Sequence, residues 1–181
     1  MMPEISLNIL DVAQNSITAG SLLTEINIAT DRKADTLEVS ISDNGHGMTP
    51  EQLEKVTDPF FTSRTTRRVG VGVPFLKMAA ELTDGSFHIE STPGVGTKIT
   101  AVFGLSHIDR MPMGDIASTM TALIGSNPDI DFLFRYFIDG NGFTLDTREM
   151  RQVLDGVSLA EPEVIQYIAG FINENMEGTG G

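Results

Sequence analysis

The sequence predicts an α/β sandwich in which a mixed β-sheet is layered on helices. Three observations carry this expectation. A helix with one apolar face opens the chain, pairs of alternating strand patterns follow at 22–30 with 36–42 and at 86–91 with 97–104, and a helical pattern at 73–83 lies between the pairs. The length of 181 residues gives room for one good-sized domain, or one domain with a small appendage.

Residues 5–19 place Ile5, Ile9, Val12 and Ser16 on one helical face. Asn8, Asp11 and Asn15 form a polar stripe on another, spaced by three and four. In the strand at 36–42, Leu37, Val39 and Ile41 alternate with Glu38, Ser40 and Ser42 across the turn Asp31 to Asp35. A Gly-rich corner at Asp43 to Met48 leads to a short helix. Its start, Thr49-Pro50-Glu51-Gln52, has Thr49 as N-cap and Gln52 placed to close a capping box.

An irregular stretch over 57–72, with Arg and Thr from Arg64 to Arg68, reads as a lid. Pro74 suits the first turn of the next helix, which stops near Asp84-Gly85. The turn Thr92-Pro93-Gly94-Val95-Gly96 joins the last two strands of this unit, which spans 1–104.

From 105 to 181 the chain changes character and forms a smaller α/β extension. A helix at 115–124 precedes a hairpin, 130–138 with 142–145, turning at Asp139-Gly140-Asn141. Helices near 147–154 and 161–175 precede a Gly-rich tail, expected to be flexible. The hairpin could extend the sheet or cover an edge, and the helices could dock a partner. Asp139-Gly140-Asn141-Gly142 lacks the full ligand pattern of a calcium loop and reads as a tight turn.

Composition excludes several classes. Asp and Glu number 25 against 12 Lys and Arg, for a formal charge of −13, which opposes nucleic acid and anionic membrane surfaces alike. The absence of cysteine excludes a disulfide framework and thiolate metal sites. No run is long and apolar enough for a membrane span, and residues 1–6 lack the shape of a signal peptide, so the cytoplasm is the expected compartment.

Taken in order, the segments Asp11 to Gly20, Asp43 to Met48, Asp58 to Arg64 and Gly70 to Lys77 resemble the signature boxes of the GHKL superfamily, which includes sensor histidine kinases, mismatch-repair ATPases, type II topoisomerases and heat-shock chaperones. The likeness covers roughly 4–104. The run from Asp11 to Gly20 is similar to the N-box helix, and the resemblance makes Asn15 the oxygen ligand of Mg2+. Asp11 stands one turn earlier, where ATPase branches carry a water-activating Glu, so it is the candidate catalytic base with a side chain one methylene shorter. Either residue alone would read as a solvated helix face.

Asp43-Asn44-Gly45-His46-Gly47-Met48 resembles the G1 box. There the Asp carboxylate accepts the adenine amine, Gly45, Gly47 and Met48 lie against the nucleotide, and His46 is incidental. Asp58-Pro59-Phe60-Phe61-Thr62-Ser63-Arg64 resembles the F-box, with the Phe pair as a lid anchor and Thr62 and Arg64 as nucleotide contacts. Gly70, Val71 and Gly72, at the start of a helix, are like the G2 box, where backbone N–H groups wrap phosphate. Arg67, Arg68 and Lys77 either add charge near the phosphates or are solvated. Thr97 matches the threonine of the last box, near the adenine-binding Asp.

The resemblance implies a Bergerat-type ATP and Mg2+ site. It also implies a kinase acting on a separate partner protein, with an ATPase or nucleotide-gated switch as the alternative. The N-box helix begins near residue 1 with no phosphoacceptor hairpin ahead of it. The expectation is therefore a small stand-alone bacterial signalling protein similar to the anti-sigma-factor serine kinases, compatible with a homodimer. Ser106-His107-Ile108-Asp109-Arg110-Met111-Pro112-Met113 faintly echoes a kinase H-box, and His107 reads as either a phosphoacceptor or part of a structural linker.

Overall fold

The computed structural model describes residues 4–58 and 72–180. The first helix, α1 (Ile5–Thr18), buries Ile5, Ile9, Val12, Ala13 and Ser16 on one face and leaves Asp11 exposed and Asn15 half-buried. Asn8 is also buried, at 5% exposure, and so departs from the polar stripe expected of it. The free N–H groups of Ile5 and Ser6 donate to the carbonyls of Pro112 at 3.0 Å and Met113 at 2.8 Å. Chain from beyond residue 104 thereby satisfies the start of α1.

The strands β1 (Leu23–Asp31) and β2 (Thr36–Asp43) pair antiparallel from Thr24 opposite Asp43 to Asp31 opposite Thr36. The helix α2 (Pro50–Val56) opens on the expected capping box. Thr49 Oγ1 accepts the Gln52 N–H at 3.2 Å, and Gln52 Oε1 accepts that of Thr49 at 3.0 Å. Helix α3 (Gly72–Leu82) precedes β3 (Ser86–Thr92) and β4 (Gly96–Gly104), and β4 pairs antiparallel with β2 as well as β3.

Beyond residue 105, α4 (Ile116–Ser126) leads to β5 (Asp131–Ile138), β6 (Asn141–Asp146), α5 (Thr147–Leu154) and α6 (Pro162–Thr179). The sheet order is β3-β4-β2-β1-β5-β6. The C-terminal hairpin extends the sheet: β5 lies parallel to β1, from Leu23 opposite Asp131 to Thr30 opposite Ile138, and every other pairing is antiparallel. The result is a mixed six-stranded sheet with six helices among the described residues. The hairpin turns tightly at Asp139 and Gly140, with φ of 51° and 87°, positive values that match the right-handed strand twist.

Strand alternation divides the sheet. Ile26 and Ile28, Leu37, Val39 and Ile41, and Ile99, Ala101 and Phe103 are buried, as are Phe132, Phe134 and Tyr136. Glu25, Asn27, Glu38 and Lys98 on the other face are exposed or half-buried. The helices pack over the apolar face, α1 against α3 and α4, and α4 against α6. The tail differs from its expectation, because α6 runs to Thr179 through Gly178 and ends at Gly180 with φ of 93°. Met176 packs on the core, and Asn175 and Thr179 donate back to carbonyls four residues earlier at 2.7 and 2.6 Å. Helical pairing continues across a glycine that composition alone marks as a breaker.

Candidate functional site

Asp43 ends β2 at the point where α1 crosses the sheet. Its Oδ2 accepts the Ser16 hydroxyl at 2.6 Å and its Oδ1 accepts the Gly45 N–H at 2.9 Å. An ionised carboxylate has about four acceptor positions, so both oxygens keep capacity for a further donor while their orientation is held from two sides. Thr97 faces Asp43 across the β2–β4 register. The Thr97 hydroxyl lies 2.7 Å from that of Ser91, which accepts the Met48 N–H at 2.8 Å and donates to the Gly96 carbonyl at 3.1 Å.

The corner after Asp43 is pinned from several directions. Asn44 Oδ1 accepts the Leu22 and Leu23 N–H groups at 2.8 and 3.1 Å and the Ser21 hydroxyl at 3.1 Å, which fixes the loop between α1 and β1. The His46 N–H donates to the Ala19 carbonyl at 2.9 Å. Gly47 has φ of 72°, and a Cβ there would lie 2.1 Å from the Thr92 carbonyl oxygen. Glycine is required at this position by conformation and by space.

These elements enclose a cavity of about 210 Å3. Val12, Ile41, Val73, Ile89 and Ile99 supply apolar walls, while Asn15, Ser16, Asp43 and Thr97 bring polar groups to its lining. Apolar walls with few convergent polar groups are the usual composition of a small-molecule site. Asn15, Asp43, Gly47, Met48 and Thr97 thus meet at one cavity. Gly45 stands behind Asp43, where a Cβ would lie 2.8 Å from the Ala19 carbonyl oxygen.

Asp11 is exposed one turn before Asn15, and α3 begins against it: a Cβ on Gly72 would lie 2.7 Å from the Asp11 Cβ. Thr62, Arg64, Arg67, Arg68, Gly70 and Val71, with Phe60 and Phe61, lie outside the described residues. Lys77 pairs with Glu81 at 2.9 Å on an exposed face of α3. His107 accepts the Asp109 N–H on Nδ1 at 3.0 Å and has Nε2 3.5 Å from Asp84. Asp84 follows the far end of α3 from Gly72, and eleven helical residues separate those ends by roughly 15 Å.

Ser16, Ser91 and His46 escaped the sequence reading as parts of the site. Ser16 stood as a polar residue on an otherwise apolar helix face, a signal that a buried hydroxyl requires a partner. Ser91 carried a partial signal, because the turn at 92–96 sets it opposite Thr97, whereas its other partner, Met48, lies 43 residues away. His46 lines the cavity and holds Nδ1 2.8 Å from the Gly47 carbonyl oxygen.

The profile of the family described as "Histidine kinase-, DNA gyrase B-, and HSP90-like ATPase" matches residues 4–107, and the chain belongs to this GHKL family. Its curated relatives are bacterial sensor kinases and similar proteins. The chain is 35% identical over 97 residues to the sensor protein kinase FleS of Pseudomonas aeruginosa, covering 54% of this chain and 24% of that protein. It is 30% identical over 113 residues to the non-motile and phage-resistance protein of Caulobacter vibrioides, covering 59% of this chain and 13% of that protein. The chain therefore matches only a quarter or less of these relatives. Among solved structures, the Aquifex aeolicus MutL ATPase domain complexed with ADP has a TM-score of 0.52 at 13% identity, covering 86% of this chain and 70% of that one. That likeness is one of fold.

Proposed function

We propose that the chain binds ATP with Mg2+ in the cavity between α1, the Asp43 corner and β4, and transfers the γ-phosphoryl group to a separate partner protein. The observation that carries this reading is the Asp43 carboxylate, oriented by Ser16 at 2.6 Å and Gly45 at 2.9 Å beside an apolar slot. An acceptor held there suits the exocyclic amine of adenine, a donor that guanine lacks at that position. The base would lie between the walls from Val12, Ile41 and Ile99, with Thr97 beside the carboxylate. The fit extends to the metal: Asn15 offers one amide oxygen, and Mg2+ takes its remaining oxygens from phosphates and water. Bound there, Mg2+ would neutralise charge on the transferring phosphoryl group.

Gly72 at the start of α3 supports the phosphate assignment, because a helix N-terminus presents free N–H groups and a positive dipole end. The relatives favour transfer to protein, since they are named as sensor kinases. Asp11 favours a second reading, an ATPase or nucleotide-gated switch: it stands one turn before Asn15 with its Cβ against Gly72, and a carboxylate on that turn could orient a water.

Calorimetric titration of ATP and GTP, each with Mg2+, tests the site. The expected result is ATP-selective binding, weakened by on the order of a hundredfold in Asp43→Asn, with less Mg2+ dependence in Asn15→Ala. Equal affinity for GTP, or unchanged ATP binding in Asp43→Asn, would remove the adenine assignment. Phosphate release without any partner protein, abolished by Asp11→Asn, would select the ATPase reading.

A further inference from the structure

Outside the family match, β6, α5 and α6 bound an open groove of about 670 Å3. Tyr167 and Phe171 line it and stack with ring centroids 6.2 Å apart. Outside the lining, Phe143 meets Phe171 and Phe134 edge-on, each with centroids 5.8 Å apart, and so braces Phe171 against the sheet. Its rim carries apolar side chains left in water: Val153 is 84% exposed, Tyr167 62% and Val157 50%. Val164, Tyr167 and Phe171 repeat at helical spacing on α6, and Met150, Val153 and Leu154 do so on α5. Two helical faces thus turn toward one another without closing the space between them.

Charge at the groove is of one sign. Every charged residue lining it is acidic: Asp146, Glu149 and Glu163. The nearby cations are already engaged: Arg148 pairs with Asp146 of the lining at 2.9 Å and offsets its charge, and Arg151 pairs with Asp131 at 2.7 Å and donates to the Pro128 and Ile130 carbonyls. Glu149 and Glu163 have no ion-pair partner among the described residues. An apolar trough with two uncompensated carboxylates complements an apolar ridge flanked by Lys or Arg. A second copy of the same groove, on a chain of net charge −13, brings like charge to like.

We propose that this groove docks a cationic amphipathic helical segment of a partner protein, its apolar side chains entering between α5 and α6 and its basic flanks meeting Glu149 and Glu163. Tyr167 is pre-positioned by Phe171, which lowers the ordering cost at a residue type favoured at binding hot spots. The groove lies on the hairpin that pairs with β1 through β5, so docking does not require the nucleotide cavity.

Fluorescence anisotropy with the full chain and a labelled Leu/Lys amphipathic peptide of about four helical turns tests the proposal, with the matched Leu/Glu peptide as comparison. The Leu/Lys peptide is expected to bind and the Leu/Glu peptide to fail. The pair Val153→Asn with Val157→Asn, both exposed and compatible with folding, should weaken binding by roughly tenfold. Glu149→Gln with Glu163→Gln should weaken it and flatten its salt dependence. Glu38→Gln with Glu90→Gln removes the same charge elsewhere and should leave binding unchanged. Equal losses from the two charge pairs, or no loss from the valine pair, would overturn a defined groove in favour of diffuse attraction. Sedimentation of the wild type as a dimer that the valine pair dissociates would instead make a second copy the occupant and overturn the proposal.

Discussion

Two donors orient the Asp43 carboxylate, the Gly45 N–H and the Ser16 hydroxyl. Ser16 is 4% exposed and donates to Asp43 across 2.6 Å. Ser16→Ala removes one of two internal donors, and hydrogen bonds to charged groups contribute about 1.5–3 kcal/mol. ATP affinity is therefore expected to fall on the order of tenfold, with a cooperative thermal transition preserved; unchanged affinity would show that Gly45 alone suffices to orient the group. Gly96 poses the opposite problem, since its φ is 145° and a Cβ would stand 2.0 Å from the Asp43 carbonyl oxygen. Gly96→Ala should lower unfolding stability by about 2 kcal/mol or more, read as a reduced urea midpoint, and should displace Asp43 together with its neighbour Thr97.

At the scale of elements, caps set where helices begin. Asp115 accepts the Ser118 N–H at 3.0 Å and its hydroxyl at 2.7 Å at the start of α4. These bonds hold its carboxyl below the ordinary range, the side-chain bond contributing most. The folded state thus favours the charged form. Its contribution is fully present above the unfolded pKa of about 3.9 and is lost as pH falls through the lower folded value. Asp115→Ala should cost about 1 kcal/mol near neutrality. The gap to wild type should close in acid denaturation series below that unfolded value; a gap constant with pH would show that charge plays no part in the cap. Helix α4 packs between α1 and α6, so the loss should reach the cooperative core and be visible in the global transition.

Across the whole molecule, the family match ends at residue 107, yet the sheet continues. β5 covers the edge of β1, α4 covers α1, and the Pro112 and Met113 carbonyls complete the first turn of α1. A chain cut after residue 107 would leave the β1 edge unpaired, uncover part of the surface around Ile5 and Ile9, and orphan the N–H groups of α1. It is expected to aggregate or to unfold without a sharp transition, measured by calorimetry and sedimentation. A monomer with cooperative unfolding would show that residues 1–107 supply a sufficient core alone.

Most elements were legible in the chain because their causes are local. Alternation in Leu37, Val39 and Ile41, the Thr49 and Gln52 box, and the apolar face of α1 each arise from residues within a turn or two of one another. Asp43, Asn15 and Thr97 were legible as site candidates from their motif context. The continuation of α6 through Gly178 was not, because packing of Met176 and the back-bonds of Asn175 and Thr179 outweigh the local cost of glycine. Tertiary structure alone decided the pairings between distant segments: Ser16 with Asp43, Ser91 with Met48, Asn8 in the core, and β5 beside β1. Those depend on which surfaces meet once apolar faces are buried, a condition of the whole chain that no window of sequence contains.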